Sequence, residues 1–147
     1  MHLIFELYLK YIRMPCKKTR KKKRKGRYQR GEYISIKTGQ TYRYRSGWEQ
    51  KYMQYLDTDP TVSSWSYEKL VIEYVSNKKT QKTRKYYPDF QIEYEDGKKV
   101  VVEIKPSRKL QQRLVVKKIR AAIDWCAQHD FVYKILTEIE LKNIGLL

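Results

Sequence analysis

The 147-residue sequence contains few of the residues that build metal-stabilised or disulfide-stabilised domains: two Cys, two His, six Gly and four Pro. Cys16 and Cys126 lie far apart and form no CxxC pair, which excludes a structural zinc site and a disulfide framework. No apolar run approaches the roughly 18 residues of a membrane-spanning helix. We therefore expect a chain from a reducing compartment with no membrane partner.

Acidic residues are also scarce, since 16 Asp and Glu stand against 33 Lys and Arg, giving a formal net charge of +17. More than half of this charge lies in residues 17–30, a basic arm without a single acid. Its cations are Lys17, Lys18, Arg20, Lys21, Lys22, Lys23, Arg24, Lys25, Arg27 and Arg30. Repulsion should keep the arm flexible until phosphates neutralise it, and its charge density favours DNA binding over a solubilising tail. We expect an N-terminal segment, 1–31, and one folded domain, 32–147.

The first thirteen residues are apolar, but their positive charges follow the apolar stretch and no small-residue cleavage site appears. Secretory signal peptides have the opposite order of charge and apolar residues. We therefore expect a protein that is not secreted. Met14 is a second candidate for the initiating methionine.

The first half of the folded domain begins with a hairpin and a helix. β-branched and aromatic residues on both sides of Gly39 predict a hairpin over residues 33–44. Ser46 and Glu49 have the spacing of a capping box, which predicts a helix that ends near Asp57. Its predicted buried face consists of Trp48, Tyr52, Tyr55 and Leu56.

The remaining elements are predicted from short apolar or β-branched runs. They are strands at 62–67, 70–75 and 131–136, a polar, basic loop at 77–85, and a helix from Ser107 to about Gln128. The apolar stripe of that helix comprises Val115, Ile119, Ala122, Ile123 and Cys126. Cys126 and the nearby His129 are expected to be structural rather than reactive.

Residues 86–106 predict a second hairpin, whose register follows from its apolar residues. A three-residue turn that ends at Gly97 brings the apolar residues together across the ladder: Ile92 with Val100, and Phe90 with Val102. The same register sets Asp89 opposite Glu103 on the other face, and Lys105 points the same way. A two-residue turn would instead mix apolar and charged residues across the strands.

Two facing carboxylates and a lysine suit a metal-dependent phosphodiesterase. Mg²⁺ prefers oxygen ligands and keeps several waters, so Asp89, Glu103 and the backbone carbonyl of Ile104 form a sufficient set. Such a metal activates water and neutralises charge on the scissile phosphate, while Lys105 could orient that water or stabilise the phosphate. Glu49 could add a third carboxylate, although helix capping is by itself its more common role.

The site residues also have structural interpretations. Asp89 and Glu103 could be solvent-facing strand residues, with Lys105 as their charge partner. Three further acids, Glu68, Glu73 and Glu93, are weaker candidates for the site and are expected at the surface. The conjunction of a helix acid, a carboxylate pair, a lysine and a basic chain favours catalysis.

Glu49, Pro88-Asp89 and Glu103-Ile104-Lys105 resemble the PD-(D/E)xK nuclease superfamily in order and spacing. Within that superfamily, residues 42–136 are similar to two related groups: the head-completion nucleases of T4-like tailed phages and the TnsA-type transposase endonuclease subunits. The short chain, the basic arm and the WSxE segment at 65–68 favour the phage group.

This resemblance implies an α/β, restriction-endonuclease-like core with a central mixed β-sheet flanked by helices. It implies Asp89 and Glu103 as metal ligands, Lys105 as the catalytic lysine and Glu49 as the helix acid. The expected cofactor is Mg²⁺, with Mn²⁺ as an alternative, and the expected substrate is DNA. The implied role is processing of packaged DNA during phage head completion and head–tail joining. That role places the protein in the host bacterial cytoplasm or on the virion, with portal or neck proteins as partners.

Three other functions fit parts of the sequence. One is a TnsA-like transposition or repair endonuclease that depends on a partner for target choice. Another is a virion neck protein that binds DNA through the basic arm and carries a vestigial site. The last is an RNA-binding module, which only the charge favours.

Overall fold

A computed structural model describes residues 29–147, and within this range the chain forms eight β-strands, three α-helices and one 3-10 turn. The strands are β1 (Gly31–Ile34), β2 (Thr41–Tyr44), β3 (Val62–Tyr67), β4 (Ile72–Asn77), β5 (Lys82–Tyr86), β6 (Phe90–Tyr94), β7 (Lys99–Ile104) and β8 (Val132–Leu136). The helices are α1 (Gly47–Thr58), α2 (Arg113–Gln128) and α3 (Glu138–Asn143), and the 3-10 turn is Ser107–Lys109. None of the helices in residues 29–147 is long and apolar enough to cross a membrane.

The central sheet has four strands in the order β3-β6-β7-β8. It is mixed, because β6 pairs antiparallel with both β3 and β7 whereas β7 pairs parallel with β8. Helix α1 packs against one face of this sheet and α2 against the other. Strands β1–β2 and β4–β5 form two separate hairpins. The predicted α/β class, a mixed sheet flanked by helices as in a restriction-endonuclease-like core, is confirmed.

Strand β7 is the centre of the molecule, because its side chains contribute to both cores. Val100 and Val102 pack into the core that α1 covers, and Val101 packs into the core that α2 covers. All five residues from Val100 to Ile104 are buried. A strand buried on both faces has little freedom to slip, so the groups at its end are held firmly.

The predicted register of the β6–β7 hairpin is confirmed. Phe90 pairs with Val102, and Ile92 pairs with Val100. The turn ends at Gly97, whose φ of +80° is the left-handed conformation that the three-residue loop requires.

The N-terminal hairpin and α1 also form as predicted, and one carboxylate joins them. Asp57 accepts hydrogen bonds from the Tyr33 hydroxyl (2.8 Å), the Ser35 hydroxyl (2.7 Å), the Ile36 N–H (2.8 Å) and the Trp65 indole N–H (2.9 Å). Burial raises the pKa of Asp57, but these bonds outweigh it and leave that pKa below its usual value. Asp57 therefore fixes the β1–β2 hairpin to the central sheet.

In the middle of the chain, one predicted strand is shifted by two residues and one predicted loop is wrong. The second strand of this region runs over Ile72–Asn77 instead of 70–75, and the predicted basic loop at 77–85 contains strand β5, Lys82–Tyr86. Strand β5 has four exposed polar residues before Tyr86, so it has no apolar signal of its own. Pairing with β4, which supplies the buried side chains, gives it its structure.

The predicted start of the long helix, Ser107, is also wrong. Helix α2 begins at Arg113, and Ser107 opens the separate 3-10 turn. The Ser107 backbone N–H (2.9 Å) and hydroxyl (2.5 Å) both donate to the Glu138 carboxylate, and Gln112 occupies the N-cap position of α2. The predicted apolar stripe of α2 is confirmed: Ile119, Ala122 and Cys126 are buried, and Val115 and Ile123 pack beside them. Burial raises the pKa of the Cys126 thiol to about 12, in keeping with a structural role.

Candidate active site

The predicted pair of carboxylates lies at one end of the central sheet. Asp89 directly precedes β6, and Glu103 is the penultimate residue of the antiparallel strand β7. The backbone N–H of Ile104 donates to the Asp89 carboxylate at 2.7 Å, which ties the start of β6 to the end of β7. The hairpin register therefore brings Asp89 and Glu103 together.

Glu103 is buried, with only 5% of its surface exposed, and each of its oxygens has a partner. The Tyr86 hydroxyl donates to Oε2 at 2.6 Å, and the ammonium of Lys105 forms an ion pair with Oε1. The Tyr133 hydroxyl lies 3.3 Å from that of Tyr86. Burial raises the pKa values of Tyr86 and Tyr133 well above the ordinary tyrosine value, so both hydroxyls remain protonated. The tyrosine pair fixes the orientation of Glu103.

The electrostatics of this site reflect two acids forced together with one cation. Burial, and then the charge of Glu103, raises the pKa of Asp89 well above its ordinary value. Burial alone would lower the pKa of Lys105, but Glu103 and then Asp89 raise it, so the lysine remains an ammonium. The end of the sheet thus attracts additional positive charge.

Glu49 reaches the same region from α1 and also caps that helix. Its carboxylate accepts from the Arg45 N–H at 2.7 Å, from the Ser46 hydroxyl at 2.9 Å and from the Tyr67 hydroxyl at 2.7 Å. It lies near enough for its charge to raise the pKa of Asp89. Glu49 therefore has the capping role expected from sequence and a place at the edge of the candidate site.

Glu68 is a fourth acid of the site, and the prediction that it is a surface residue is wrong, because its side chain is only 25% exposed. It follows β3 with a φ of +50°, which is unusual for a residue other than glycine, and its N–H donates to the Asp89 carbonyl at 2.9 Å. Its carboxylate forms an ion pair with Arg45 at 2.9 Å. Burial, together with the charges of Glu49 and Glu103, raises its pKa against the opposing effect of Arg45. Glu73 and Glu93, by contrast, are exposed as expected.

The donor set fits a hard divalent cation. Asp89 and Glu103 present carboxylate oxygens, and the Ile104 carbonyl follows directly in β7. Within residues 29–147, no group of three or more Asp, Glu, His or Cys side chains is arranged to hold a metal ion. Two carboxylates with water in the other positions is a usual arrangement for Mg²⁺, which gives up its waters reluctantly.

The basic arm lies almost entirely outside the described residues. Of its ten predicted DNA-binding cations, only Arg30 falls within residues 29–147, and its side chain is exposed. The predicted boundary of the folded domain at residue 32 lies next to the first residue of β1, Gly31.

Comparison with known proteins points to nucleases. One curated relative, "Head completion nuclease" of Enterobacteria phage T4, is 35% identical over 68 residues, which cover 46% of this chain and 45% of that protein. The family described as "TnsA-like endonuclease N terminal" matches residues 59–138, more than half of the chain. The matched segment contains Asp89, Glu103 and Lys105 and begins after Glu49. The chain therefore belongs to the TnsA-like endonuclease N-terminal family.

Proposed function

We propose that this protein is a metal-dependent deoxyribonuclease that hydrolyses phosphodiester bonds at the Asp89–Glu103–Lys105 site. The observation that carries the proposal is the convergence of these three residues, two acids and one lysine, at one end of a rigid sheet. Their setting supports it, because the chain has a net charge of +17 and belongs to a family of endonucleases.

Each proposed catalytic group has a distinct task. Asp89, Glu103 and the Ile104 carbonyl would hold Mg²⁺, or Mn²⁺ as an alternative, which when bound supplies positive charge at the scissile phosphate. Lys105 is a fixed ammonium beside Glu103, placed to orient the attacking water or to donate to a phosphate oxygen. Glu49 is the helix acid, and its charge favours cation binding.

DNA capture is assigned to the basic arm, residues 17–30, with catalysis in the folded domain, 32–147. Ten cations without an intervening acid can neutralise many phosphates, and the resulting affinity is independent of sequence. The expected substrate contact is therefore the DNA backbone, with no base-specific recognition by the arm.

The biological role that we propose is the processing of packaged DNA during phage head completion and head–tail joining. The name of the T4 relative supports this role, as does the basic arm. Portal or neck proteins would then be partners, and the protein would act in the host bacterial cytoplasm or on the virion. Recovery of the protein with purified heads would support this role, and its recovery with other partners would contradict it.

A TnsA-like transposition or repair endonuclease is a second candidate, which the match to residues 59–138 favours. Such an enzyme would need a partner protein to select its target. The two candidates differ in whether the isolated chain cuts DNA.

The direct test incubates supercoiled plasmid with the full chain in Mg²⁺ or in EDTA, beside Asp89→Ala and Lys105→Ala. We expect nicking or linearisation by the wild-type protein alone, and only with metal. Binding without cleavage by all three proteins would contradict an autonomous nuclease and would favour the partner-dependent enzyme.

A further inference from the structure

The β4–β5 hairpin carries a cluster of positive charge that the proposed site does not use. Five exposed cations in its turn and outer strand form what we term the hairpin surface: Lys78, Lys79, Lys82, Arg84 and Lys85. Strand β4 supplies one acid, Glu73, opposite Lys85. In the part of the chain that the structure describes, none of the five pairs with a carboxylate. Unneutralised charge of this density is suited to a polyanion.

The base of this hairpin is fixed, so its cations have a defined position. Ile72, Tyr74 and Tyr86 are buried in the core that α2 covers. The ammonium of Lys117 on α2 donates to the Ser76 carbonyl, and the Ser76 hydroxyl donates across the hairpin to the Lys82 carbonyl at 2.9 Å. These contacts anchor the hairpin to α2 and join its two strands.

Strand β5 leads directly to the proposed catalytic site. Its last residue, Tyr86, donates to Glu103 at 2.6 Å. Residues two apart on a strand share a face, so Arg84 lies on the face of Tyr86, about 7 Å further along. Lys82 continues the same face.

Tyr87 adds an aromatic contact between the hairpin and the site. It stands two residues before Asp89, and 46% of its surface is exposed. Its neighbours in sequence, Tyr86 and Pro88, are both buried, so the ring is held at the surface by fixed residues on either side. An exposed ring next to a basic strand is suited to packing against a sugar or a base.

We propose that the hairpin surface binds the DNA backbone beside the scissile phosphate and aligns it with Asp89, Glu103 and Lys105. This inference rests on the proposed function for the identity of the polyanion. Arg84 and Lys82 contact successive stretches of one strand, and Tyr87 packs on a nucleotide between them and the site. The basic arm then supplies general affinity, whereas the hairpin surface sets the position of the strand.

The test measures DNA binding by the full chain in EDTA, where no metal-dependent cleavage occurs, using the anisotropy of a short labelled duplex over a salt series. The double variant Lys82→Ala/Arg84→Ala is compared with Lys98→Ala/Lys99→Ala, which removes the same charge at the opposite end of the sheet. Relative to that control, we expect affinity to fall roughly ten- to thirtyfold at physiological salt. The slope of log K against log salt should become shallower by about 2.

Two companion measurements complete the test. Tyr87→Ala should weaken binding at least about fivefold without changing the salt slope, because a stacking contact releases no counterions. The same variants are also measured with a labelled RNA duplex, and thermal unfolding of each variant verifies that it is folded.

Equal losses in the hairpin variant and its control would overturn the proposal. A loss of RNA affinity with unchanged DNA affinity would also overturn it and would assign the hairpin surface to RNA. An unchanged affinity of Tyr87→Ala would remove that residue from the contact. If the wild-type protein binds DNA through the hairpin surface but never cuts it, the proposed function fails, the alignment with a catalytic site fails with it, and DNA binding by the hairpin surface stands.

Discussion

The two hairpins that meet at Tyr86 and Glu103 have opposite physical properties. In β7 the residues from Val100 to Ile104 are all buried, whereas in β5 the residues from Lys82 to Lys85 are all exposed. The buried strand can hold carboxylates together against their repulsion, because packing on both faces fixes its position. The exposed strand can hold cations without counter-charges, because water solvates them until a polyanion binds. One hairpin is thus suited to catalysis and the other to substrate positioning.

The acidic end of the sheet is stabilised by a small number of specific contacts. The Ile104 N–H and the Lys105 ammonium each bind one of the two carboxylates, and the Tyr86 hydroxyl binds Glu103 as well. These contacts reduce the repulsion but leave more acids than cations, since Glu49 and Glu68 lie nearby. A site built in this way favours a divalent cation.

The largest effect on the cleavage rate should come from removing the charge of Glu103 in the buried strand β7. Glu103→Gln keeps an acceptor for Tyr86 but removes the negative charge, so we expect cleavage to fall at least about a thousandfold. DNA affinity in EDTA should be unchanged or slightly higher, because one repulsive charge is gone. Initial rates at saturating DNA and anisotropy in EDTA measure the two effects. Cleavage at the wild-type rate would contradict the role of Glu103.

The next effect concerns the basic arm, to which we assign DNA binding and not chemistry. Replacing residues 17–30 by a Gly/Ser segment of equal length should weaken DNA binding about a hundredfold or more at physiological salt. The salt dependence should also become much shallower, while the site should still cut DNA at low salt. If the altered protein cuts normally at physiological salt, the arm serves a purpose other than substrate capture.

A smaller effect is expected where the two hairpins touch. Tyr86→Phe removes the hydroxyl that orients Glu103, and loss of such a supporting bond typically costs about 10- to 100-fold in metal affinity or activity. Tyr74→Phe removes a hydroxyl from the same core without a contact to Glu103, so it is the matched control. Cleavage rates over a range of Mg²⁺ concentrations give the comparison. Equal curves for the two variants would exclude an orienting role for Tyr86.

The smallest effect on catalysis is expected at Asp57, which binds the β1–β2 hairpin, but its effect on stability should be clear. Asp57→Ala removes the acceptor of four hydrogen bonds and should lower the free energy of unfolding by about 3 kcal/mol at neutral pH. Because the folded pKa of Asp57 is below its unfolded value, its stabilisation is present above about pH 4 and is lost as the pH falls further.

Urea unfolding at several pH values measures this difference. The gap in stability between the wild-type protein and Asp57→Ala should narrow on acidification, and a gap that is independent of pH would contradict the assigned ionisation. At a temperature where both proteins are folded, their cleavage rates should be similar.

The part of the fold that sequence could predict is the part in which local pattern and packing agree. Phe90, Ile92, Val100 and Val102 alternate along two strands joined by a turn that ends at Gly97, so a single register satisfies them all. That register was sufficient to place Asp89 and Glu103 together. Strand β5 has no such pattern, because the apolar residues that stabilise it belong to β4. The predicted capping role of Ser107 is wrong for a similar reason, since its hydrogen-bond partner, Glu138, is distant in sequence.

The supporting residues of the site could not be predicted, because each contact joins elements that are distant in sequence. Tyr86 reaches Glu103 only because β5 pairs with β4, and Tyr67 reaches Glu49 across the junction of β3 and α1. Glu68 adopts its unusual backbone conformation where its N–H bonds to Asp89. Such residues are ordinary in sequence and become functional candidates only through the fold.

If one end of the sheet performs catalysis while basic surfaces position the DNA, then two variants should differ in a crossed measurement. Cleavage at saturating DNA and binding in EDTA are determined for Asp89→Ala and for Lys82→Ala/Arg84→Ala. We expect Asp89→Ala to lose cleavage and keep its affinity, whereas the hairpin variant should lose affinity and keep a maximal rate well above that of Asp89→Ala. If both variants lose cleavage and affinity in proportion, the proposed separation of catalysis from DNA positioning is wrong.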